Sequence, residues 1–465
     1  MTQQNNTTAD LPFRMERDEF VPSKRYYDEK FFELEKEHLW PHVWQMACRL
    51  EEIPNVGDWV EYQNLDKSVI VVRTNSGVKA FNNACRHRGV KLASDRGNCG
   101  VKGFICPFHG WRWNSDGDNT FVFARQIFSE EVLKQEDIDL VPVRVEEWGG
   151  CAFINHDDNA PSLRDSLGSV TRRMESRNVD QLKVEWWESA VLPCNWKLAM
   201  EAFMEGYHVM RTHPQLYVLT EPDFSFSRDT GPSGPDQTSN NSTSAKELAE
   251  KAIGFAKRLR SGMAGMVADY EVEVAESMAD IDLPQGSTLE MTQMFYGMLH
   301  QKIKERGEEL GLPMFDINAV AVDPGYHNVE FMFPHYFLLP HFSAMASYRI
   351  RPLTPETCLF EIWSLRFYAE SEERPTLSTP VPKAHDDPAF PEIPMQDYSN
   401  LPLQQLGLHA GGFDNMRLSK DYEGLISIYH RLIDGYLTKA DPDLLLKAQN
   451  EVNQGYDTPI RDIGL

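Results

Sequence analysis

The chain has 465 residues and a formal net charge of −24, with 41% hydrophobic and 25% charged residues. That length allows two or three domains, each with its own core, and the composition is that of a globular protein. The excess of acid argues against nucleic acid and anionic membrane as partners. Residues 1–10 show neither the basic nor the apolar region of a leader, and no run of 18 apolar residues occurs, so a cytoplasmic protein is expected. Seven cysteines, an odd number over a long chain, do not read as a disulfide framework.

Residues 1–20 are polar and aperiodic, and are expected to be disordered. Tyr27, Phe31, Leu34 and Trp40 recur at near-helical spacing and predict one amphipathic helix within 21–43, packed on the catalytic domain. From 44 to 156 the texture becomes short apolar or alternating runs, such as Ser68 to Val72 and Cys151 to Ile154. Pro-Asn-Val-Gly, Asn-Ser-Gly and Gly-Gly turns separate them, which predicts a small all-β domain. A second domain, 157–465, opens with the strand-like run Val184 to Leu192. It carries a polar insertion over about 221–320, in which Glu221 to Ser244 reads as a lid loop and Ala245–Gly262 and Leu289–Leu310 as helices. Strands return over Val329–Tyr368, and Leu418–Leu437 is a predicted helix.

Chemistry concentrates first between Cys85 and Trp111. Cys85-Arg86-His87-Arg88-Gly89 and Cys106-Pro107-Phe108-His109-Gly110-Trp111 each offer one thiolate and one imidazole. A Rieske-type [2Fe–2S] centre needs two cysteines on one iron and two histidines on the other. A Cys₂His₂ zinc site is the alternative, but it ordinarily takes both cysteines from one knuckle, and here the order is Cys-His, Cys-His. The stretch resembles the Rieske motif C-x-H…C-x2-H, with a slightly longer spacer from Arg88 to Ile105. Cys48, Cys99, Cys151, Cys194 and Cys358 read as reduced thiols. Arg86, Arg88, Lys91, Arg96, Lys102 and Arg112 form a basic group in an acidic chain, a landing site for an acidic electron donor.

A second concentration runs from Asn195 to Pro214. On a continuous helix Glu201, Glu205 and His208 share one face. His213 lies about 140° further round an ideal helix, but the proline after it disfavours α geometry and lets the ring turn back toward His208. Two histidines plus a carboxylate make the facial triad of non-haem Fe(II) oxygenases.

With both motifs in hand, the chain resembles the catalytic alpha subunit of a Rieske non-haem iron oxygenase, the ring-hydroxylating oxygenase family, whose helix pattern is (D/E)-x3-D-x2-H-x4–5-H. The resemblance implies an α+β protein: an all-β Rieske domain and a helix-grip, START-like catalytic domain of antiparallel sheet and helices. It implies a [2Fe–2S] cluster on Cys85, His87, Cys106 and His109, and a mononuclear Fe(II) on His208, His213 and a later aspartate. Asp397 is placed there because Gln396-Asp397-Tyr398-Ser399-Asn400-Leu401 is similar to the family segment; Asp414 and Asp323 are the fallbacks. Glu205 stands where the family usually has Asp, bridging the cluster histidine His109 of one subunit to His208 of the next; oxygenases of quaternary ammonium compounds resemble this chain in using Glu. A head-to-tail homotrimer, with or without a beta subunit, closes that path.

The resemblance further implies dioxygen and a small organic substrate, with electrons from NAD(P)H through a flavin reductase, with or without a ferredoxin. No G-x-G-x-x-G follows a predicted strand, which agrees with a reductase on another chain. Phe203, Met204, Met210, Met291 to Met298 and Phe331 to Phe333 are candidate pocket walls. The Met- and Phe-rich helices and the polar loop favour hydroxylation of an apolar aromatic or polycyclic substrate. The alternative is monooxygenation with C–N or C–O cleavage, as of a quaternary ammonium compound. A non-enzymatic Rieske electron carrier would need only the first domain.

Overall fold

The computed structural model describes residues 11–216, 244–263, 265–323, 325–455 and 458–465. The chain divides into two compact units, residues 40–163 with 376–379, and the remainder. The lid expected over Glu221 to Ser244 lies, but for Ser244, outside the described residues.

In the first unit a seven-stranded antiparallel sheet runs in the order Gln45–Arg49, Cys151–Asn155, Pro142–Trp148, Gly77–Asn82, Lys67–Thr74, Asp58–Asn64, Arg96–Asn98. Lys67–Thr74 shows why this sequence needs both faces covered. Val69 and Val71 pack with Ala47, Ile53, Val60 and Ile154 on one side, while Ile70 and Val72 pack with Phe81, Phe104 and Trp113 on the other. The second of these cores also contains Cys85, Cys106 and Trp111, so the cluster loops are anchored in a packed interior. A small sheet, Phe104–Ile105, Arg112–Trp113 and Asn119–Phe121, carries the second loop at the turn between its first two strands. Gly103 admits no side chain there: its φ is +69° and a Cβ would lie 1.8 Å from the Trp113 carbonyl oxygen.

The larger unit is built on a six-stranded sheet in the order Glu330–Met332, Tyr336–Pro340, Met345–Thr354, Thr357–Arg366, Lys183–Leu192, Lys383–Ala384. All its pairs are antiparallel except the last. Helices Trp196–Glu201 and Glu392–Leu408 pack with this sheet. The helices Ala245–Gly262 and Thr288–Glu309 each begin with a capping box, Ser244 with Glu247 and Ser287 with Glu290. These S-x-x-E signals satisfy otherwise orphaned amides at the helix starts. Among the described residues no helix is long and apolar enough to cross a membrane.

Three sequence expectations change. Residues 11–20, expected to be disordered, are held by long-range contacts: Met15 N–H donates to Asp434 (2.9 Å), and Phe13 C=O accepts from Arg25 (2.9 Å). Residues 1–10 lie outside the described residues. The single N-terminal helix is three pieces, a 3₁₀ turn Ser23–Tyr26, an α-helix Glu29–Leu34 capped by Asp28, and a wider π-type turn Glu35–Leu39. Arg25 sits fully buried against Asp434 (2.6 Å) and His430 (3.1 Å), so this stretch is fixed by a polar network rather than by an apolar stripe alone. Finally, the C-terminal helix starts at Gly424 and not at Leu418, because the intervening backbone is engaged elsewhere: Leu418 N–H donates to Glu19 C=O (2.9 Å) and Lys420 C=O accepts from Ile460 N–H (2.8 Å).

Candidate functional site

The two loops of the smaller unit close in the same way. Cys85 N–H donates to Val90 C=O (2.8 Å) and Gly89 N–H to Cys85 C=O (2.9 Å); Cys106 N–H donates to Trp111 C=O (2.8 Å) and Gly110 N–H to Cys106 C=O (3.0 Å). Gly89 and Gly110 take matching positive φ values, +74° and +72°, a conformation that favours glycine. Both thiols are buried, and burial with the neighbouring Cys106 raises the Cys85 pKa. The Nδ1 atoms of His87 and His109 approach to 3.2 Å, while the His87 ring stacks on Trp111 at 5.1 Å between centroids. Two sulfurs and two Nδ1 atoms are thus presented by paired loops, a donor set that fits a Rieske-type cluster. Both rings remain partly exposed, which leaves an electron route to the surface.

Of the six basic residues near these loops, two are neutralised: Lys91 pairs with Glu61 (2.6 Å) and Arg96 with Glu52 (3.0 Å). Arg86, Arg88, Lys102 and Arg112 stay exposed, with Arg88 over the Phe108 ring and Arg112 over Phe121.

In the larger unit, Asn195 caps the helix Trp196–Glu201 by accepting from Lys197 N–H (2.9 Å). The chain then leaves the helix at Ala202, which corrects the continuous-helix reading. Glu201 consequently does not share a face with Glu205 and His208. It is buried against Tyr26 (2.9 Å) and His430 (2.7 Å), and burial pushes its pKa up to about 8. Helix resumes only over Val209–Thr212 and stops at His213 (φ −120°, ψ 57°), as the following proline requires.

That break lets the two imidazoles converge. Glu205 receives the His208 backbone N–H (2.9 Å) on Oε2 and His208 Nδ1–H (2.7 Å) on Oε1, one oxygen for each donor. Gln396 Oε1 receives His213 Nδ1–H (2.6 Å) and Gln215 Nε2–H (2.7 Å). Both partners of Nδ1 are acceptors only, so each neutral ring carries its hydrogen on Nδ1 and turns a lone pair outward on Nε2. These Nε2 atoms lie 3.1 Å (His213) and 3.9 Å (His208) from the same Asp397 carboxylate oxygen. One ligand atom from each of the three residues falls within 4.8 Å of the others. Three acceptors facing one another call for a cation between them, and two imidazoles with one carboxylate fit an iron site with open positions. Burial lowers the His208 pKa, but the hydrogen bond and charge of Glu205, then Asp397, outweigh it and hold it above the ordinary value.

The fallback aspartates sit elsewhere. Asp323 pairs with Arg172 and accepts Gly325 N–H, and Asp414 is exposed. Gln396 was within the quoted segment but its role is visible only in three dimensions.

A cavity of about 460 Å³ opens on His208, His213 and Asp397. Of the predicted walls Phe203 lines it, as do Thr292 and Tyr296 from the stretch Met291 to Met298; Met204, Met291 and Phe331 to Phe333 are core, and the Met210 side chain lies outside the described residues. Most of the apolar lining comes instead from Leu248, Phe255, Leu259, Met263, Ile317 and Phe342 among others, with Arg177, His300 and His341 as polar members that sequence reasoning missed. They stand far apart in the chain and outside any motif.

Comparison with known proteins follows the same division. A family described as the ring hydroxylating alpha subunit (catalytic domain) matches residues 179–439, and the Rieske [2Fe–2S] domain matches residues 43–124. The chain is 33% identical over 198 residues to the carnitine monooxygenase oxygenase subunit of Escherichia coli, covering 42% of this chain and 52% of that protein. It is 33% identical over 212 residues to the glycine betaine monooxygenase oxygenase subunit of Chromohalobacter salexigens (45% and 47%). It is 32% identical over 195 residues to the biphenyl 2,3-dioxygenase alpha subunit of Rhodococcus jostii (40% and 42%). The chain thus spans about half the length of the curated relatives it matches. Among solved structures, naphthalene 1,2-dioxygenase with indole bound superposes with a TM-score of 0.60 at 19% identity (93% of this chain, 95% of that one). A quaternary ammonium Rieske monooxygenase in complex with L-carnitine gives 0.57 at 18% (91% and 97%).

Proposed function

The chain belongs to the ring-hydroxylating oxygenase alpha-subunit family, and from that premise we propose that it is the terminal oxygenase of a monooxygenase that attacks a carbon next to the nitrogen of a quaternary ammonium compound. The observation that carries this reading is the pair of relatives at 33% identity, whose named substrates, carnitine and glycine betaine, are both trimethylammonium carboxylates. Glu205 in place of the family's usual aspartate agrees with it.

The cluster would be held by Cys85, His87, Cys106 and His109, and the mononuclear iron by His208, His213 and Asp397. When bound, these centres supply single electrons and the place where dioxygen is reduced. The chain's own residues do the rest. Glu205 and Gln396 fix both imidazoles as Nδ1–H tautomers, so that Nε2 remains the donor atom. Glu205 also lies on the electron path from His109 to His208, across a subunit boundary in a head-to-tail trimer. The apolar walls exclude water from the reacting carbon, and the aromatic residues Phe203 and Tyr296 are part of that lining, a composition suited to a quaternary nitrogen. Overall, a C–H bond, O₂, two electrons and two protons give a C–OH group and water. The carbinol then loses its O–H proton as the C–N pair leaves with nitrogen, giving a tertiary amine and an aldehyde. The electrons come from NAD(P)H through a flavin reductase, with or without a ferredoxin.

A second reading, hydroxylation of an arene, is favoured by the cavity itself, since about 460 Å³ of largely apolar space lies in the range that takes drug-sized ligands. Single-turnover oxygen uptake by the chemically reduced protein separates the two. Uptake coupled to a tertiary amine and an aldehyde from carnitine or glycine betaine supports C–N cleavage. Uptake coupled only to a hydroxylated product from biphenyl or naphthalene replaces it with the second reading.

A further inference from the structure

The cavity holds a second polar cluster that takes no part in the metal site. Three arginines lie close together near one helix, Arg172, Arg173 and Arg177. Arg172 is paired with Asp323, and Arg173 with Glu330 through three hydrogen bonds (2.7, 3.0 and 2.5 Å). Arg177 differs. Its Nη1 donates to the carbonyl oxygens of His341 (3.1 Å) and Phe342 (3.3 Å), Tyr326 is a further side-chain hydrogen-bond partner, and its Nε has none; the carboxylate whose charge it feels, Glu330, is held by Arg173. No carboxylate of the described residues forms an ion pair with it, although its side chain is only 2% exposed and lines the cavity. Phe315 and Tyr326 lie beside the guanidinium, 5.7 and 5.1 Å from ring centroid to Cζ. Close by, His341 also lines the cavity and its buried Nε2 is likewise without a partner.

A buried cation with no carboxylate in contact is costly, and so is a buried ring nitrogen without a hydrogen bond. Both deficits face one cavity, and one group would remove both. A carboxylate accepts from the planar guanidinium fork and from an imidazole N–H together. Burial, with the charges of His300 and Arg177 nearby, pushes the His341 pKa down to about 3, so its ring is neutral at ordinary pH and can place its hydrogen on Nε2.

We propose that Arg177, with His341 beside it, is the anchor for a carboxylate on the substrate, so that this oxygenase selects molecules carrying an anionic group as well as the carbon to be oxidised. The inference deepens the quaternary ammonium reading, since it excludes simple cations such as choline and admits zwitterions. It does not depend on the nitrogen, because an apolar acid would be held in the same way.

The test is equilibrium binding to the iron-loaded holoenzyme, measured by calorimetry with two matched pairs, glycine betaine against choline and 2-naphthoate against naphthalene. For whichever scaffold binds, the carboxylate member is expected to bind the wild-type enzyme about 10- to 100-fold more tightly, as a charge-assisted hydrogen bond implies. In Arg177→Met that preference should vanish, while Arg177→Lys, which keeps the charge and loses the fork, should retain part of it. If the wild type shows no carboxylate preference in either pair, or Arg177→Met shows the full one, the anchor is wrong. Preference in the naphthalene pair alone upholds the anchor and removes the quaternary ammonium reading. If Arg177→Met fails to fold, the wild-type preference and the Arg177→Lys loss decide.

Discussion

Replacing Glu205 tests how far one carboxylate governs the metal site. Its two oxygens accept from His208 Nδ1 (2.7 Å) and from the His208 backbone N–H (2.9 Å). A hydrogen bond to a charged group contributes about 1.5–3 kcal/mol and a neutral one about 0.5–1.5 kcal/mol. Glu205→Gln removes the charge and offers one acceptor oxygen to two donors; with that oxygen on His208 Nδ1 the loss at the ring is about 1–1.5 kcal/mol, or roughly tenfold in iron affinity at about 1.4 kcal/mol per decade. Glu205→Ala removes both acceptors and frees the ring to turn, which places it near the ~100-fold end of losses known for groups that orient metal ligands. Competition between the protein and a chelator for Fe(II), under anaerobic conditions, reads the affinity directly, and visible absorption of the cluster serves as the unaffected control. With excess Fe(II) both centres of Glu205→Ala should fill, yet product formation should stay low on the proposal that electrons pass through Glu205. Wild-type iron affinity in both variants together with normal turnover would refute the reasoning.

Gln396→Leu leaves His213 Nδ1 without its acceptor at 2.6 Å, so iron affinity should fall about tenfold while the cluster spectrum stays unchanged; chelator competition measures this. Gly103→Ala puts a Cβ 1.8 Å from the Trp113 carbonyl oxygen at φ +69°, so the variant should lose cluster absorbance per chain, with the hairpin unable to close. His335 is fully buried and its pKa is pushed down to about 3, chiefly by burial and then by Arg349 and Arg351. Above the ordinary value near 6.5 both folded and unfolded chains keep it neutral. As pH falls from there toward 3 only the unfolded chain takes the proton, so stability should drop by up to about 1.4 kcal/mol per pH unit. Urea unfolding at several pH values should show a shallower slope in His335→Gln.

Legibility followed the chain distance between interacting residues. The cluster loops were readable because each places its thiol, imidazole and turn glycine within six residues, and the geometry is local. His208 and His213 were readable for the same reason, and the helix stop before Pro214 followed from proline sterics. Asp397 was reachable only through the resemblance of its segment, since nothing in local spacing ties it to His208. The error over Glu201 came from extending helix periodicity across Glu205 and Gly206, where Glu205 spends its side chain on the His208 amide and ring instead of continuing a helical face. Residues 11–20 were misread because what orders them, such as Asp434 on Met15 N–H, lies more than four hundred positions away. Arg177 and His341 left no trace in the sequence, because which of the neighbouring arginines takes the Glu330 carboxylate is decided only by the fold, and Arg173 takes it.

Mössbauer spectroscopy of ⁵⁷Fe-loaded protein, wild type and Asp397→Ala, tests the assignment of the two centres most directly. The wild type should show the paired irons of a Cys₂His₂ [2Fe–2S] cluster together with a separate mononuclear Fe(II) component. Asp397→Ala should keep the first and lose the second. A mononuclear component that persists in Asp397→Ala, or a wild-type spectrum without the cluster pair, would contradict it.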